Sequence, residues 1–290
     1  MAYRDMAHRI TLDWLVGKTT TVYSLPVVYE RLNEVINHPR SSLSDIAEII
    51  TEDHGLTARI LKLANSPMFG FYSEIDTITR ALTIIGTQQV RDISLAASVM
   101  GLFKGIPDTL MSMQSFWQHS ISCGIIARTV ATYRRDTNVE RFFVAGILHD
   151  LGQLAMCTAV PDLVKELLEE SRSSDTLHYA TESRYLGFNH AKVGGALLEQ
   201  WMLPTSITEP VSCHHTPSIA RKYPVEASVV HLADIICQSL EFGCSSEWHV
   251  PPLDPEAWKR IGIPVSALSG IIMKAEKEMA EVLAIMTEEG

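Results

Sequence analysis

Apolar positions recur along this chain with helical spacing almost throughout. From Pro26, the run PVVYERLNEVINH puts Val28, Leu32, Val35 and Ile36 on one face. That is the stripe an amphipathic helix buries, and Pro26 is tolerated in a first turn. Ser42 opens SLSDIAEII, where Ser42 with Asp45 has the pattern of a capping box. LTARILKLAN follows and stops at Asn65-Ser66-Pro67, and TITRALTIIG stops at Gly86, a residue type that ends helices. Another helix is expected from about Thr87 to Phe103, broken by Gly105-Ile106-Pro107. Alternating β-branched strands bounded by turns are absent, so the expected fold class is all-α.

Pro107 marks a seam. The helices before it hold no metal-like cluster, whereas the longer helices after it carry most of the histidines. The expected organisation is an N-terminal helical lobe over residues 1–106, packed on a multi-helix bundle over residues 107–290. No Gly-, Ser- or Pro-rich linker and no internal repeat interrupts it. In the first lobe, Asp53 and His54 stand at a helix start, where Asp53 reads as a cap rather than a ligand. Gly17-Lys18-Thr19 resembles the end of a P-loop. The glycine that motif needs five residues earlier is replaced by Leu12, and no strand precedes it.

Composition narrows the function. The chain has 290 residues, 46% hydrophobic and 20% charged, as in ordinary globular proteins. A net charge of −10 argues against a nucleic-acid partner, which would require a basic footprint. No run reaches the roughly 20 apolar residues of a membrane span, and the opening MAYRDMAHRITLDW lacks the apolar core of a signal peptide. No membrane partner and a cytoplasmic location are therefore expected. Five cysteines form no CxxC pair and are expected to be buried, reduced thiols.

The chemistry lies in the second lobe. In FFVAGILHDLGQLAM an apolar helix runs into His149-Asp150. Ionisable groups inside so apolar a run are costly without a partner, and a metal ion supplies one. Taken alone, the dipeptide reads as a helix end facing solvent. It is accompanied, however, by His119 in SFWQHSISCGIIARTVATY, His190 in HAKVGGALLEQW, the pair His214-His215, and Asp234 in VVHLADIICQSL. Imidazole and carboxylate ligands suit divalent Fe, Mn, Ni or Zn. His8, His38, His54, His178 and His249 show no such grouping, and His231 reads as structural, with a place beside Asp234 as the alternative.

The order His119, His149-Asp150, His190, His214-His215, Asp234 resembles the ligand series of the HD superfamily of metal-dependent phosphohydrolases, in its binuclear HD-GYP-like form. The stretch from LPVVYERLNEVI through LTARILKLANSPMFG to ITRALTIIGTQQVRDISL is similar to the HDOD domain, an HD-related output domain of bacterial signalling proteins. The resemblance covers roughly Val22 to Asp234. It implies one or two divalent metals, iron foremost. One metal would take His119, His149 and Asp234, the other His190, His214 and His215, with Asp150 bridging and serving as the catalytic group in an active enzyme. It also implies signalling proteins as partners in trans, with room for a nucleotide or phosphate ligand at the metals. Two departures from HD-GYP-like enzymes bear on catalysis. Gln153 stands where they carry a lysine three residues after the aspartate. Tyr223-Pro224 follow Lys222 rather than glycine, with no Asp-Gly turn. HDOD relatives are also regarded as non-catalytic. The leading expectation is a regulatory HDOD protein that keeps a two-metal site. The alternatives are an active phosphodiesterase on a nucleotide or cyclic dinucleotide, and a helical interaction protein whose histidines bind nothing.

Overall fold

The computed structural model describes residues 10–103, 105–244 and 246–287. Among these the chain is helical, with no strand, as the apolar periodicity requires. The helices are α1 (Leu12–Thr20), α2 (Val27–Asn37), α3 (Leu43–Thr51), α4 (His54–Ala64), α5 (Ile78–Ile85) and α6 (Thr87–Met100). After the break near Pro107 come α7 (Met113–Arg134), α8 (Glu140–Leu148), α9 (Leu151–Ala159), α10 (Pro161–Ser173), α11 (His178–Leu186) and α12 (His190–Gln200). The chain closes with α13 (Thr205–Cys213), a 3₁₀ turn (Pro217–Ile219), α14 (Pro224–Ser239), α15 (Pro255–Ile261) and α16 (Ala267–Thr287).

Local chemistry sets the ends of the early helices. Ser42 and Asp45 form the expected capping box, with Asp45 N donating to Ser42 Oγ at 3.3 Å and Ser42 N to Asp45 Oδ2 at 2.8 Å. Asp53 Oδ1 accepts from Leu56 N at 2.9 Å and so caps α4. Asn65 ends that helix and pins the following loop, exchanging bonds with Ile75 O and Ile75 N at 2.8 and 2.7 Å. Gly86 takes φ 103° between α5 and α6, a conformation other residues avoid. The sixth helix ends at Met100, short of the expected Phe103, because Gly101 and Leu102 close a turn on Ser98 O and Val99 O.

Helices α2 to α6 pack on one another, and α6 joins them to α8. The first helix lies instead on α9 and α12, where Lys18 Nζ donates to Ala159 O; no phosphate loop forms there. One sequence expectation fails here. Glu140–Ala159 is long and apolar enough to span a membrane, yet it is almost entirely buried inside the protein. It is the core of the bundle, α8 and α9 meeting at His149-Asp150. The cysteine expectation needs a correction too: Cys123, Cys157, Cys213 and Cys237 are buried, whereas Cys244 is exposed in the segment after α14.

Two helix crossings bring the later site together, and glycines permit both. A Cβ at Gly146 of α8 would lie 2.6 Å from Gly124 Cα of α7. A Cβ at Gly152 of α9 would lie 1.9 Å from His190 O at the start of α12. Backbones this close leave no volume for a methyl group. Gly152→Ala is therefore expected to cost about 1–3 kcal/mol through overpacking, and Ser42→Ala about 1 kcal/mol through loss of the cap. Urea denaturation of the two variants measures both. Wild-type stability in Gly152→Ala would show that α9 and α12 separate freely.

Candidate metal centre

Six helices and their ends carry the ionisable cluster. His119 lies within α7. Asp150, with φ −96° and ψ 8°, breaks the path from α8 to α9 and turns His149 and itself inward. His190 is the first residue of α12, whose cap is Asn189. His214 caps the end of α13, His215 follows, and Asp234 lies in α14. All are buried except His215, which is partly covered and stacks on Tyr179 at 4.1 Å. The structure thus brings together every residue singled out from the sequence.

The hydrogen bonds orient the rings. His149 Nδ1 is 2.7 Å from Gly146 O, and His214 Nδ1 is 2.7 Å from Val211 O. A carbonyl only accepts, so each Nδ1 carries the proton and each Nε2 is left to face the centre. His190 Nδ1 lies 2.6 Å from Glu182 Oε2, which directs its Nε2 inward as well. Around these nitrogens, Asp150 Oδ2 is 3.3 Å from His149 Nε2 and 3.9 Å from His119 Nε2. Its Oδ1 is 3.2 Å from His190 Nε2 and 3.7 Å from His214 Nε2. Asp234 Oδ1 is 3.2 Å from His119 Nε2 and 3.7 Å from His149 Nε2.

Two observations fit this donor set to a cation. Buried His149 Nε2 has no hydrogen-bond partner. The Nε2 atoms of His214 and His215 lie 3.0 Å apart, and those of His215 and His190 only 2.7 Å apart. Lone pairs facing at such distances repel unless a proton or a metal ion lies between them. The donor atoms form overlapping groups, each within 4.8 Å: Asp150, His190, His214 and His215; His119, His149 and Asp150; His149, His214 and Asp234.

The electrostatics agree. Burial works against the charge of Asp150, but His149 and His190 outweigh it and hold the carboxyl well below its usual range. Burial likewise opposes Asp234, which His119 and His149 hold low. His214 is pushed down to about 3, by burial first and then by His149, and His215 falls well below the usual range by burial and by His214. Burial opposes charge on His149 and His190 too, but Asp150 raises His149 well above its usual range and Glu182 raises His190 to about 10. The cluster thus holds ionised carboxylates, neutral His214 and His215, and protons on His149 and His190 that a bound metal would displace.

Residues around the cluster were less visible in sequence. His178, which shows no grouping along the chain, is buried with its Nε2 3.2 Å from Glu182 Oε1. His178 N donates to Glu247 Oε1. No sequence signal marks Glu182 or Glu247. His231 is structural: its Nδ1 donates to His214 O at 2.7 Å, and its Nε2 accepts from Asp254 N at 3.0 Å. His249 pairs with Asp175 at 3.0 Å, His38 and His54 lie in the first lobe, and His8 lies outside the described residues. Gln153 is buried and engaged: its Oε1 accepts from Ser246 N at 3.2 Å and from Ser246 Oγ at 2.8 Å. Tyr223-Pro224 start α14, and the backbone N–H groups of Arg221, Lys222 and Tyr223 clasp the Glu209 carboxylate at 3.0, 2.8 and 2.5 Å.

An all-α bundle with a buried histidine–aspartate cluster is the class of protein this site defines. The chain belongs to the HDOD domain family, whose model matches residues 22–217. In sequence it is 24% identical over 229 residues to an uncharacterized protein of Treponema pallidum, which spans 78% of this chain. The match takes up 44% of that longer relative. In structure it resembles an HDOD domain protein of unknown function from Geobacter sulfurreducens, with TM-score 0.72 and 23% identity over 96% of this chain and 99% of that one. It also resembles a Shewanella amazonensis protein whose name proposes a metal-dependent phosphohydrolase, with TM-score 0.68 and 20% identity over 99% of this chain and 100% of that one. These likenesses establish the shared all-helical fold.

Loading with Fe(II) or Mn(II) followed by elemental analysis tests the cluster. Asp150→Ala is expected to lose most of the bound metal, because Asp150 faces both sides of the cluster. Asp53→Ala is expected to keep it, because Asp53 only caps α4. Unchanged metal content in Asp150→Ala would contradict the assignment.

Proposed function

We propose that this chain is an HDOD-type signalling output module that retains a binuclear metal centre and acts by binding partner proteins in trans. The observation that carries the reading is the placement of Asp150. One of its oxygens faces His149 and His119, and the other faces His190 and His214. In this reading His119, His149 and Asp234 hold one metal, His190, His214 and His215 hold the other, and Asp150 bridges. A nitrogen- and oxygen-rich set without thiolate suits iron or manganese, with iron preferred.

The residues present favour holding metal over turning over substrate. Bound divalent metals would supply Lewis acidity and lower the pKa of a bound water. The chain adds little to stabilise charge on phosphate oxygens, usually a large catalytic contribution. Gln153 is neutral, and its amide oxygen is already occupied by Ser246. Tyr223-Pro224 are committed to the start of α14. The ligand side chains, His215 excepted, are buried away from bulk solvent. The second reading is a metal-dependent phosphohydrolase acting on a nucleotide or cyclic dinucleotide. The completeness of the donor set favours it, as does the name of the Shewanella relative.

Metal binding to the folded chain should stabilise it by about 2.7 kcal/mol at a free concentration one hundred times Kd. Thermal denaturation with and without Fe(II) or Mn(II) should therefore show a rise in Tm that Asp150→Ala lacks. The activity test uses protein loaded anaerobically with either metal, cyclic dinucleotides and a chromogenic phosphodiester. Slow or absent cleavage is expected. Multiple turnovers at about 1 per second or faster, abolished by Asp150→Ala, would replace the signalling reading with the enzymatic one.

A further inference from the structure

The two halves of the proposed centre differ in charge. Beside the shared Asp150, the half with His119 and His149 has its own carboxylate, Asp234, with Oδ1 3.2 Å from His119 Nε2. The half with His190, His214 and His215 has only imidazoles. A dication held there would meet less negative charge at contact distance, and Coulomb interactions at such range are large in a buried site.

Behind that second half stands Glu182. It comes from the middle of α11, is 1% exposed, and is held from both sides. Its Oε2 accepts from His190 N at 2.9 Å and from His190 Nδ1 at 2.6 Å. Its Oε1 lies 3.2 Å from His178 Nε2. The corresponding supports of the other rings are weaker. His149 and His214 each donate Nδ1 to a neutral carbonyl, and the Nδ1 atoms of His119 and His215 have no partner. His190 is thus the one ligand candidate braced by a carboxylate through its ring. A charge-assisted bond of this kind is roughly twice as strong as a neutral one. It also makes the opposite ring nitrogen a better metal donor.

We propose that Glu182 is a positioning residue for His190, and that through this imidazole it supplies the negative charge the His190–His214–His215 half lacks. The inference rests on the binuclear reading above. Glu182 touches no metal. It fixes the Nδ1–H tautomer of His190, strengthens Nε2 as a donor, and places the missing carboxylate one ring away. Within the short α11, from His178 to Leu186, only His178, Thr181 and Glu182 are buried, and the other oxygen of Glu182 faces His178.

The experiment is a titration of the full chain with Co(II), following both equivalents by visible absorption and following the histidine rings by ¹⁵N NMR. Wild-type protein is expected to bind two equivalents. Glu182→Ala is expected to weaken one of them 10–100-fold, the range for loss of such an outer partner, and to leave the other unchanged. The weakened equivalent should be the one whose binding broadens the His190 signals. In the metal-loaded variant, the His190 Nδ1–H proton, held by Glu182 Oε2 at 2.6 Å in the wild type, should lose its protection from exchange with water. Glu182→Gln keeps an acceptor of the same shape without the charge, so its affinity should fall between wild type and alanine. Equal loss of both equivalents in Glu182→Ala, or wild-type affinity in both variants, would overturn the proposal. Wild-type affinity in Glu182→Gln alone would overturn its charge component. A wild-type chain that binds no Co(II) would instead overturn the metal reading itself, an outcome distinct from two equivalents that ignore Glu182.

Discussion

Two carboxylates buried among five imidazoles form the constraint on which the rest of this structure depends. Asp150 and Asp234 are 2% and 5% exposed, and the side chains that pair with them are histidines. Burying carboxylates costs several kcal/mol each unless positive charge sits close by. In this centre the available positive charge is either protons on the imidazoles or metal ions. The imidazole nitrogens at 2.7 and 3.0 Å favour a cation between them over a set of independent protonated rings. Such a cluster makes a poor core for stability alone, and its assembly is a sign of function.

The fold is arranged to satisfy that cluster. The α7–α8 crossing at Gly124 and Gly146 brings His119 beside His149, with ring centroids 5.3 Å apart. The α9–α12 crossing at Gly152 brings Asp150 to His190. His231 then supports the end of α13 by bonding His214 O, which steadies the histidine pair. Around the cluster, Glu182, His178, Glu247 and the Gln153–Ser246 contact form a second layer that ties α9, α11, α12 and the segment after α14 together. Coordination geometry is set by such outer contacts as much as by the ligands.

Much of this was legible in the sequence because the relevant signals are local. The capping box at Ser42, the cap at Asp53, the stop at Gly86 and the apolar stripes each depend on a few neighbouring residues. The seven cluster residues were legible through their order and their apolar surroundings. What escaped was non-local. Glu182 and His190 belong to separate helices joined by a turn at Gly187, so no helical spacing links them. Glu247 and Ser246 lie in irregular chain, where periodicity carries no information. The Glu140–Ala159 run was misjudged because His149-Asp150 look like an interruption, although both are inside the core.

In the proposed centre Asp150 stands between two metal ions. Anomalous diffraction from crystals of the protein loaded anaerobically with iron, collected on either side of the iron absorption edge, measures this directly. Two anomalous peaks are expected, one on each side of Asp150, the first beside His119, His149 and Asp234 and the second beside His190, His214 and His215. A map without anomalous density at this cluster, in crystals whose iron content is established by fluorescence, would contradict it.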